Sequence, residues 1–467
     1  VKVTFVNPAN DNELMSNIPT MFKTDRGRIP ALGSLYLASE VRNKGYHEVG
    51  VIDATVDQLG YEEVAQKIKD DKVDVVGISV TSFSLVDTKL TADAIRKVCG
   101  DKIKIIMGGP HVVIYPDETV SALGADYAVA GEAEYAIHDV LEHIDRGKNG
   151  HERVWRQHKY IEDLDELPFP ARDLTDYTKY WNLMSDVHPV TTAFSSRGCP
   201  FQCNFCDRPA MGRGFRAMSP TRVVDEMEEC EKMGIKEIMF YDDTFTIMKD
   251  RVLGICQEYR KRNLTISWDV RSRVDTITQE MCKAMAEANC RRIHYGIEAG
   301  NQRVMDALNK EITVEQVEQT FGWTHDAGME CMGLFMIGNP TETRSDINET
   351  IKLAKRIKCD YVATGVLSPY PATALYLTAM KNKLIKYDVW KEYARTISSK
   401  FRPPLWLEIF TKEELISELK RFYRLFYLTP YYIIKSLLKM KNPFQFMKYI
   451  IAGTHMVYIT TIQKFKR

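Results

Sequence analysis

Arg197-Gly198-Cys199-Pro200-Phe201-Gln202-Cys203-Asn204-Phe205-Cys206 sets three thiols at spacings of four and three residues, directly after an apolar strand candidate at Thr191 to Ser195. A tight loop of this kind can converge its thiols on one metal centre. Iron-sulfur clusters are held by Cys thiolates, and three ligands on a four-iron cluster leave one iron open to bind something else. A structural zinc site is the competing reading, yet it calls for a closed set of four ligands, and no His or Cys pair stands at the usual spacing after Cys206. Three unrelated buried thiols are the remaining alternative.

Working outward, strand candidates follow at Glu237 to Tyr241, Thr265 to Val270, Arg292 to Ile297, Cys331 to Ile337 and Tyr361 to Leu367, six in all with Thr191 to Ser195. Helical spacing separates them at Pro220 to Met233, Arg251 to Arg262, Gln279 to Ala288, Gln302 to Leu308, Val314 to Ala327 and Asp346 to Lys358. Six β/α units predict a partial (β/α)6 TIM-like barrel over 189–385, with reactive groups at the carboxyl ends of its strands. Upstream, Lys2 to Val6, Glu48 to Ile52, Val73 to Ser79, Ile103 to Met107 and Tyr127 to Ala130 alternate with helical stretches. That pattern predicts a doubly wound, Rossmann-like parallel sheet over 1–145, whose ligand crevice lies beyond the strand ends. The span 146–188, with Pro168 and Pro170 in an acidic surround, reads as a linker, and 386–467 as a C-terminal helical tail. The fold class is therefore α/β.

A chain of 467 residues with 45% apolar and 27% charged side chains is long enough for several packed units and has the balance of a folded protein. Residues 420 to 467 hold ten Lys or Arg and no Asp or Glu, which leaves 53 positive and 63 negative side chains on the first 419. Neither a secretory pattern nor an apolar run of spanning length stands out, so the expected location is cytoplasmic. The seven other cysteines, Cys99, Cys230, Cys256, Cys282, Cys290, Cys331 and Cys359, lack metal-ligand spacing and read as buried thiols.

Cys-x3-Cys-x2-Cys, with Phe205 before the last Cys, resembles the signature of radical S-adenosylmethionine enzymes. The resemblance implies a 4Fe-4S cluster on Cys199, Cys203 and Cys206, whose open iron chelates S-adenosylmethionine and yields a 5′-deoxyadenosyl radical on reduction by an external one-electron donor. Arg216 to Glu226, Phe240 to Phe245, Gly296-Ile297-Glu298-Ala299-Gly300 and Phe335 to Thr343 look like further elements of that barrel, with Ala299 and Thr341 as small departures. Candidate contacts with cofactor are Glu298, Asp242, Arg273 and Gly338, and candidate catalytic residues are Asp243 and Tyr370. For each charged residue taken alone, a structural role is an equal reading, and Gly338 reads equally as a turn glycine.

The first block resembles the cobalamin-binding domain that precedes some of these barrels. It carries Val76-Gly77-Ile78-Ser79-Val80-Thr81, Met107-Gly108-Gly109-Pro110-His111 and Gly131-Glu132-Ala133-Glu134. Small residues at Gly77, Ser79, Gly108 and Gly109 are expected to let a flat macrocycle approach the sheet edge. The familiar Asp-x-His-x-x-Gly loop is replaced by Asp53-Ala54-Thr55-Val56-Asp57, so that loop offers no axial His. Cobalamin is an expected cofactor, with a cobalamin-free Rossmann-like scaffold as the alternative.

The tail, in Phe422 to Leu428 and Tyr431 to Leu438, mixes basic and aromatic residues as interfacial helices do. Three readings stand for 410–467: packing on the barrel, peripheral contact with a membrane, and contact with nucleic acid. The layout resembles the anaerobic magnesium-protoporphyrin monomethyl ester cyclase group and the hopanoid methylases. That resemblance implies hydrogen abstraction from an unactivated carbon, then cobalamin-dependent methylation or oxidative cyclisation of a large apolar, tetrapyrrole or lipid-like small molecule. Radical chemistry without cobalamin and an iron-sulfur electron carrier are the alternatives.

Overall fold

A computed structural model of the chain describes residues 1–14, 27–45, 48–147, 153–157, 159–206, 212 and 214–439. Two six-stranded parallel sheets organise it. The first is built from β1 (Val3–Asn7), β2 (Val49–Asp53), β3 (Val75–Ser79), β4 (Lys104–Gly108), β5 (Tyr127–Ala130) and β6 (Val154–Arg156) in the order β2-β1-β3-β4-β5-β6. Its strands are nearly continuous apolar runs because helices cover both faces. Val3, Phe5, Val75, Ile106 and Val129 meet α1 (Leu32–Asn43) and α7 (Ala133–Asp145). On the opposite face, Val6, Ile52, Val76, Ile78, Ile105 and Met107 meet α3 (Tyr61–Asp70), α4 (Leu85–Cys99) and α6 (Pro116–Leu123). Between them the chain forms α2 (Ala54–Asp57) and α5 (Pro110–Ile114). The strand order reverses at β1, so the crevice opens beyond the ends of β1 and β3. β6 lies inside the span expected as a linker; it pairs with β5 as a short edge strand, too brief to show in the sequence pattern.

The second sheet is β7 (Val190–Ala193), β8 (Glu237–Phe240), β9 (Ser267–Ser272), β10 (Cys290–Glu298), β11 (Glu330–Ile337) and β12 (Tyr361–Val366), all parallel in sequence order. Around it lie α8 (Pro220–Lys232), α9 (Lys249–Lys261), α10 (Gln279–Glu287), α11 (Gln302–Ala307), α12 (Val314–Asp326) and α13 (Arg344–Arg356). Their starts follow local chemistry: Ser219 caps α8 with Pro220 in its first turn, and capping boxes at Thr313/Gln316 and Thr343/Asp346 start α12 and α13.

A six-stranded barrel does not close, and its two edges need partners. At β7 the 3-10 turns of the linker supply them. Arg172 donates to Thr191 Oγ1 (3.1 Å) and to the Thr192 carbonyl (2.7 Å), while its charge is paired with buried Glu226 at 2.7 Å. At β12 the C-terminal helix α16 (Lys412–Tyr427) does so. Tyr423 OH accepts from Thr364 N and donates to Thr364 O, both at 2.9 Å, and Tyr427 OH treats Val362 N and O in the same way at 2.9 and 2.8 Å.

For α16 the packing reading of the tail is the one that holds. Phe422, Tyr423 and Phe426 are buried against the barrel, since two phenols satisfy the edge backbone and hold that face inward. The following α17 (Pro430–Lys439) does expose Tyr431, Ile433, Ile434 and Leu438; residues 440–467 lie outside the described residues. Among the described residues no helix is long and apolar enough to cross a membrane. Replacing both Tyr423 and Tyr427 by Phe leaves four edge backbone groups without partners, each costing about 1–3 kcal/mol where water cannot reach. Urea unfolding is therefore expected at a clearly lower midpoint, and an unchanged midpoint would show that these hydroxyls do not hold the edge.

Between barrel and tail, α14 (Ala374–Lys381) and α15 (Val389–Arg395) turn back onto the first sheet. Leu375, Tyr376, Trp390, Tyr393 and Trp406 share one core with Ile78, Leu85 and Met107.

Candidate active site

The carboxyl end of β7 leads into Ser195 and Ser196, where the cysteine loop is anchored. Buried Asp242, at the end of β8, accepts from Ser195 N (2.7 Å), Ser195 Oγ (2.6 Å) and Ser196 Oγ. Arg251 holds the same turn from the other side, donating to Ser195 O at 2.7 Å and Met218 O at 2.8 Å. Both Asp242 oxygens are engaged by this clamp, so its role is to fix the loop rather than to face a ligand; burial pushes its carboxyl up. Asp243, by contrast, is exposed on the turn after β8, beside Thr244.

Gly198 turns the chain at φ 83°, a conformation that a side chain resists. Three thiols outside any disulfide then follow: Cys199 is half-buried with its sulfur 3.7 Å from Thr244 Oγ1, Cys203 is buried, and Cys206 is exposed. Their backbone is tied to α11 and the residues after it. Asn204 N donates to Leu308 O (3.1 Å), Asn204 Nδ2 to Ala307 O (2.7 Å), and Asn309 Nδ2 to Gln202 O (2.8 Å).

Arg273, just past the end of β9, stands behind Cys203. Asp275 holds two of its nitrogens at 2.9 Å each, Lys310 O accepts at 2.7 Å, and the guanidinium lies 3.7 Å above the Phe201 ring. With its plane fixed in this way, Nη1 points at Cys203 Sγ, 3.4 Å away. Lys310 in turn donates to Glu298 Oε1 at 2.9 Å, and both groups are buried. Glu298 sits at a register break in β10 with φ 70°, an unusual backbone for a residue with a side chain. Glu298, Lys310, Arg273 and Cys203 thus form one continuous polar chain at the top of the barrel. Three thiols on one anchored loop, with a cation aimed at one sulfur, fit the donor set of an iron-sulfur cluster, whose potential responds to hydrogen bonds on its sulfurs.

Gly338 agrees with its reading as a turn glycine. Its φ is 77°, and a Cβ there would meet Leu415 of α16 at 2.9 Å, so the glycine accommodates the tail helix. Its N–H, with that of Asn339, is bound by buried Glu342 at 2.6 and 3.0 Å, and burial pushes the Glu342 carboxyl up to about 7.

At the other crevice, Ser79 is exposed at the carboxyl end of β3, flanked by the half-buried Gly108 and Gly109 of the neighbouring strand end. Gly109 is sterically required: its φ is 101° and a Cβ would lie 2.9 Å from Val80 O. Gly108 is not, since a Cβ there meets only Val129 O at 3.6 Å, and Gly77 makes room for the Phe5 ring rather than for a ligand. Thr55, in the place of the familiar axial His, donates to Pro8 O at 3.1 Å. His111 is buried, which lowers its pKa to about 4, and its Nδ1 lies 2.9 Å from Ser82 Oγ, linking the loops after β3 and β4. An exposed shelf of small residues at the switch point fits a flat macrocycle, held without an imidazole from the Asp53–Asp57 loop.

The two sites adjoin. Phe205 of the cysteine loop packs against both the barrel core and the core that α14 and α15 share with the first sheet, and Leu375 N donates to Asn204 O at 2.8 Å. Tyr370 stands edge-on to Phe83, on the loop after β3, with ring centroids 5.5 Å apart. A buried ion cluster fastens the arrangement: Arg197 pairs with Glu134 (2.5 Å) and Glu132 (3.3 Å) at the start of α7, and Arg216 binds Glu132 at 2.8 and 2.9 Å. The sequence reading passed over Arg197, Arg216, Lys310 and Glu342 as site residues. Glu132 and Glu134 lay within a noted motif, and Arg197 immediately precedes Gly198, whereas nothing in the sequence marks Lys310.

Residues 194–354 match the Radical SAM superfamily and residues 20–141 the B12 binding domain. An uncharacterized methyltransferase of Pyrococcus horikoshii is 34% identical over 423 residues, covering 87% of this chain and 90% of the relative. The anaerobic magnesium-protoporphyrin IX monomethyl ester cyclase of Rubrivivax gelatinosus is 28% identical, over 75% of this chain and 66% of the cyclase. Among solved structures, the cobalamin-dependent S-adenosylmethionine radical enzyme OxsB, with aqua-cobalamin and S-adenosylmethionine bound, superposes with a TM-score of 0.73 at 17% identity, over 98% of this chain and 71% of OxsB. At that identity the likeness speaks for the fold.

Proposed function

The chain belongs to the cobalamin-binding radical S-adenosylmethionine enzymes, with a 4Fe-4S cluster, S-adenosylmethionine and cobalamin as its cofactors, and from that membership we propose that it methylates an unactivated carbon of a large apolar small molecule. When bound, these groups supply a 5′-deoxyadenosyl radical for hydrogen abstraction and a methyl group for transfer. In this reading Cys199, Cys203 and Cys206 hold the cluster, and Arg273 fixes Cys203 and donates to its sulfur. Glu298 and Lys310 present a buried charge pair toward S-adenosylmethionine. Ser79 and Gly109 form the shelf for the macrocycle. Asp243, exposed beside the cysteine loop, and Tyr370, on the wall shared with Phe83, are the candidates to meet substrate.

The observation that carries the proposal is the position of Phe205, in contact with both cores, because it sets the cysteine loop against the same packed unit as the sheet that carries the cobalamin shelf. A tetrapyrrole or lipid-like substrate agrees with the family resemblance and with the exposed apolar residues of α17, of which Leu438 is 82% exposed. Next to a basic segment, such a surface favours peripheral contact with an anionic bilayer.

The test is anaerobic. Full-length protein is reconstituted with iron and sulfide, then given dithionite, S-adenosylmethionine and hydroxocobalamin. 5′-Deoxyadenosine, S-adenosylhomocysteine and the cobalamin retained after desalting are measured. Both nucleosides with retained cobalamin are expected. 5′-Deoxyadenosine without S-adenosylhomocysteine would turn the reading toward oxidative cyclisation, and absence of both would overturn it.

A further inference from the structure

Far from the cysteine loop, at the amino ends of β11 and β12, His325, Cys331 and Asp360 bring their ligand atoms together, all within 4.8 Å of one another. We propose that they form a three-residue, open site for a thiophilic divalent cation, zinc in the first instance, that ties α12 to the bottom of the barrel. The three residues come from three successive elements and are held by backbone contacts: Asp360 N donates to Cys331 O at 2.9 Å, and Cys331 N donates to Asp360 Oδ2 at 2.9 Å. Asp360 is therefore fixed on Cys331 independently of any ion.

The geometry suits the ion. His325 Nε2 lies 3.4 Å from Asp360 Oδ2. With zinc–nitrogen and zinc–oxygen bonds of about 2.0–2.1 Å, that separation subtends roughly a tetrahedral angle. Cys331 supplies the sulfur, its Sγ within 4.8 Å of both other ligand atoms. Cys331 and Asp360 are buried while His325 is part-exposed, which gives the ion an entry path and leaves the fourth position to water. The other Asp360 oxygen is bound by Lys435 of α17 at 3.0 Å, and Lys435 also donates to Lys358 O at 3.3 Å. One carboxylate thus faces the ion on one side and the tail helix on the other, and Lys435 fixes its orientation. A location at the bottom of the barrel marks the site as stabilising rather than catalytic.

Zinc and iron content of the reconstituted full-length enzyme, measured by elemental mass spectrometry, tests this without reference to activity. One zinc per chain is expected in the parent protein, with none in Cys331→Ala or His325→Gln and with iron unchanged in both, so that the cluster serves as an internal control of folding. Cobalt(II) titration of a chain lacking Cys199, Cys203 and Cys206 should give a sulfur-to-cobalt absorption band that His325→Gln weakens at least tenfold in affinity. Zinc at background in the parent protein, or zinc retained in both variants, would overturn the proposal.

Discussion

Cys203→Ala is expected to reduce iron in the reconstituted protein from about four per chain to background and to abolish release of 5′-deoxyadenosine, because a cluster held by three thiolates loses a third of its protein ligands. The fold itself should survive. Cys203 lies on a loop whose backbone is held by Asn204 on Leu308 and Ala307, and by Asn309 on Gln202, none of which uses the thiol. Far-ultraviolet circular dichroism should therefore match the parent protein. Cys99→Ala, at a half-buried thiol outside the loop, is the control and should leave iron and turnover unchanged. A Cys203→Ala protein that keeps its iron and its 5′-deoxyadenosine would remove the cysteine loop from the chemistry.

The second large effect is expected at Arg197. Its guanidinium is buried between Glu134 and Glu132, and removing it with Arg197→Ala strands carboxylates where water does not reach, at a cost of about 3–5 kcal/mol. Arg216 remains on Glu132, so Glu134 bears most of the loss. Pairing Arg197→Met with Glu134→Gln eliminates the stranded charge and should recover much of the stability, giving a coupling energy of about 0.5–3 kcal/mol in a double-mutant cycle. Urea unfolding of the parent protein, Arg197→Met, Glu134→Gln and the Met/Gln pair measures it. If Arg197→Ala costs no more than a surface substitution, within about 0.5 kcal/mol, the clasp does not hold the domains together. Function should separate from stability in the Met/Gln pair: with the clasp gone, the cysteine loop loses its fixed distance from the crevice. S-adenosylmethionine cleavage should then persist while methyl transfer falls.

Both expectations concern residues of the one stretch from Arg197 to Cys206, yet only one was legible in the sequence. Cys203 announces itself by spacing, since the chemistry requires three thiols on one short loop. Arg197, six residues before it, does not, because its partners Glu132 and Glu134 are more than sixty residues away. Asp242 shows the reverse: it was legible as a charge at a strand end, but only the fold shows that Ser195 and Ser196 occupy it. Gly338 was legible as a special backbone position, while its reason, the Leu415 side chain, comes from the tail.

The sequence by itself determined the alternation of strands and helices, the division into two parallel sheets and the thiol loop, because apolar periodicity, capping residues and cysteine spacing are local properties of the chain. The tertiary structure alone decided how the open barrel is sealed by Arg172 at one edge and by Tyr423 and Tyr427 at the other. It also decided that Phe205 bridges two cores and that His325, Cys331 and Asp360 meet. These depend on which elements are neighbours in space, and burial makes an unpartnered charge or edge amide costly enough that distant residues must supply the partner.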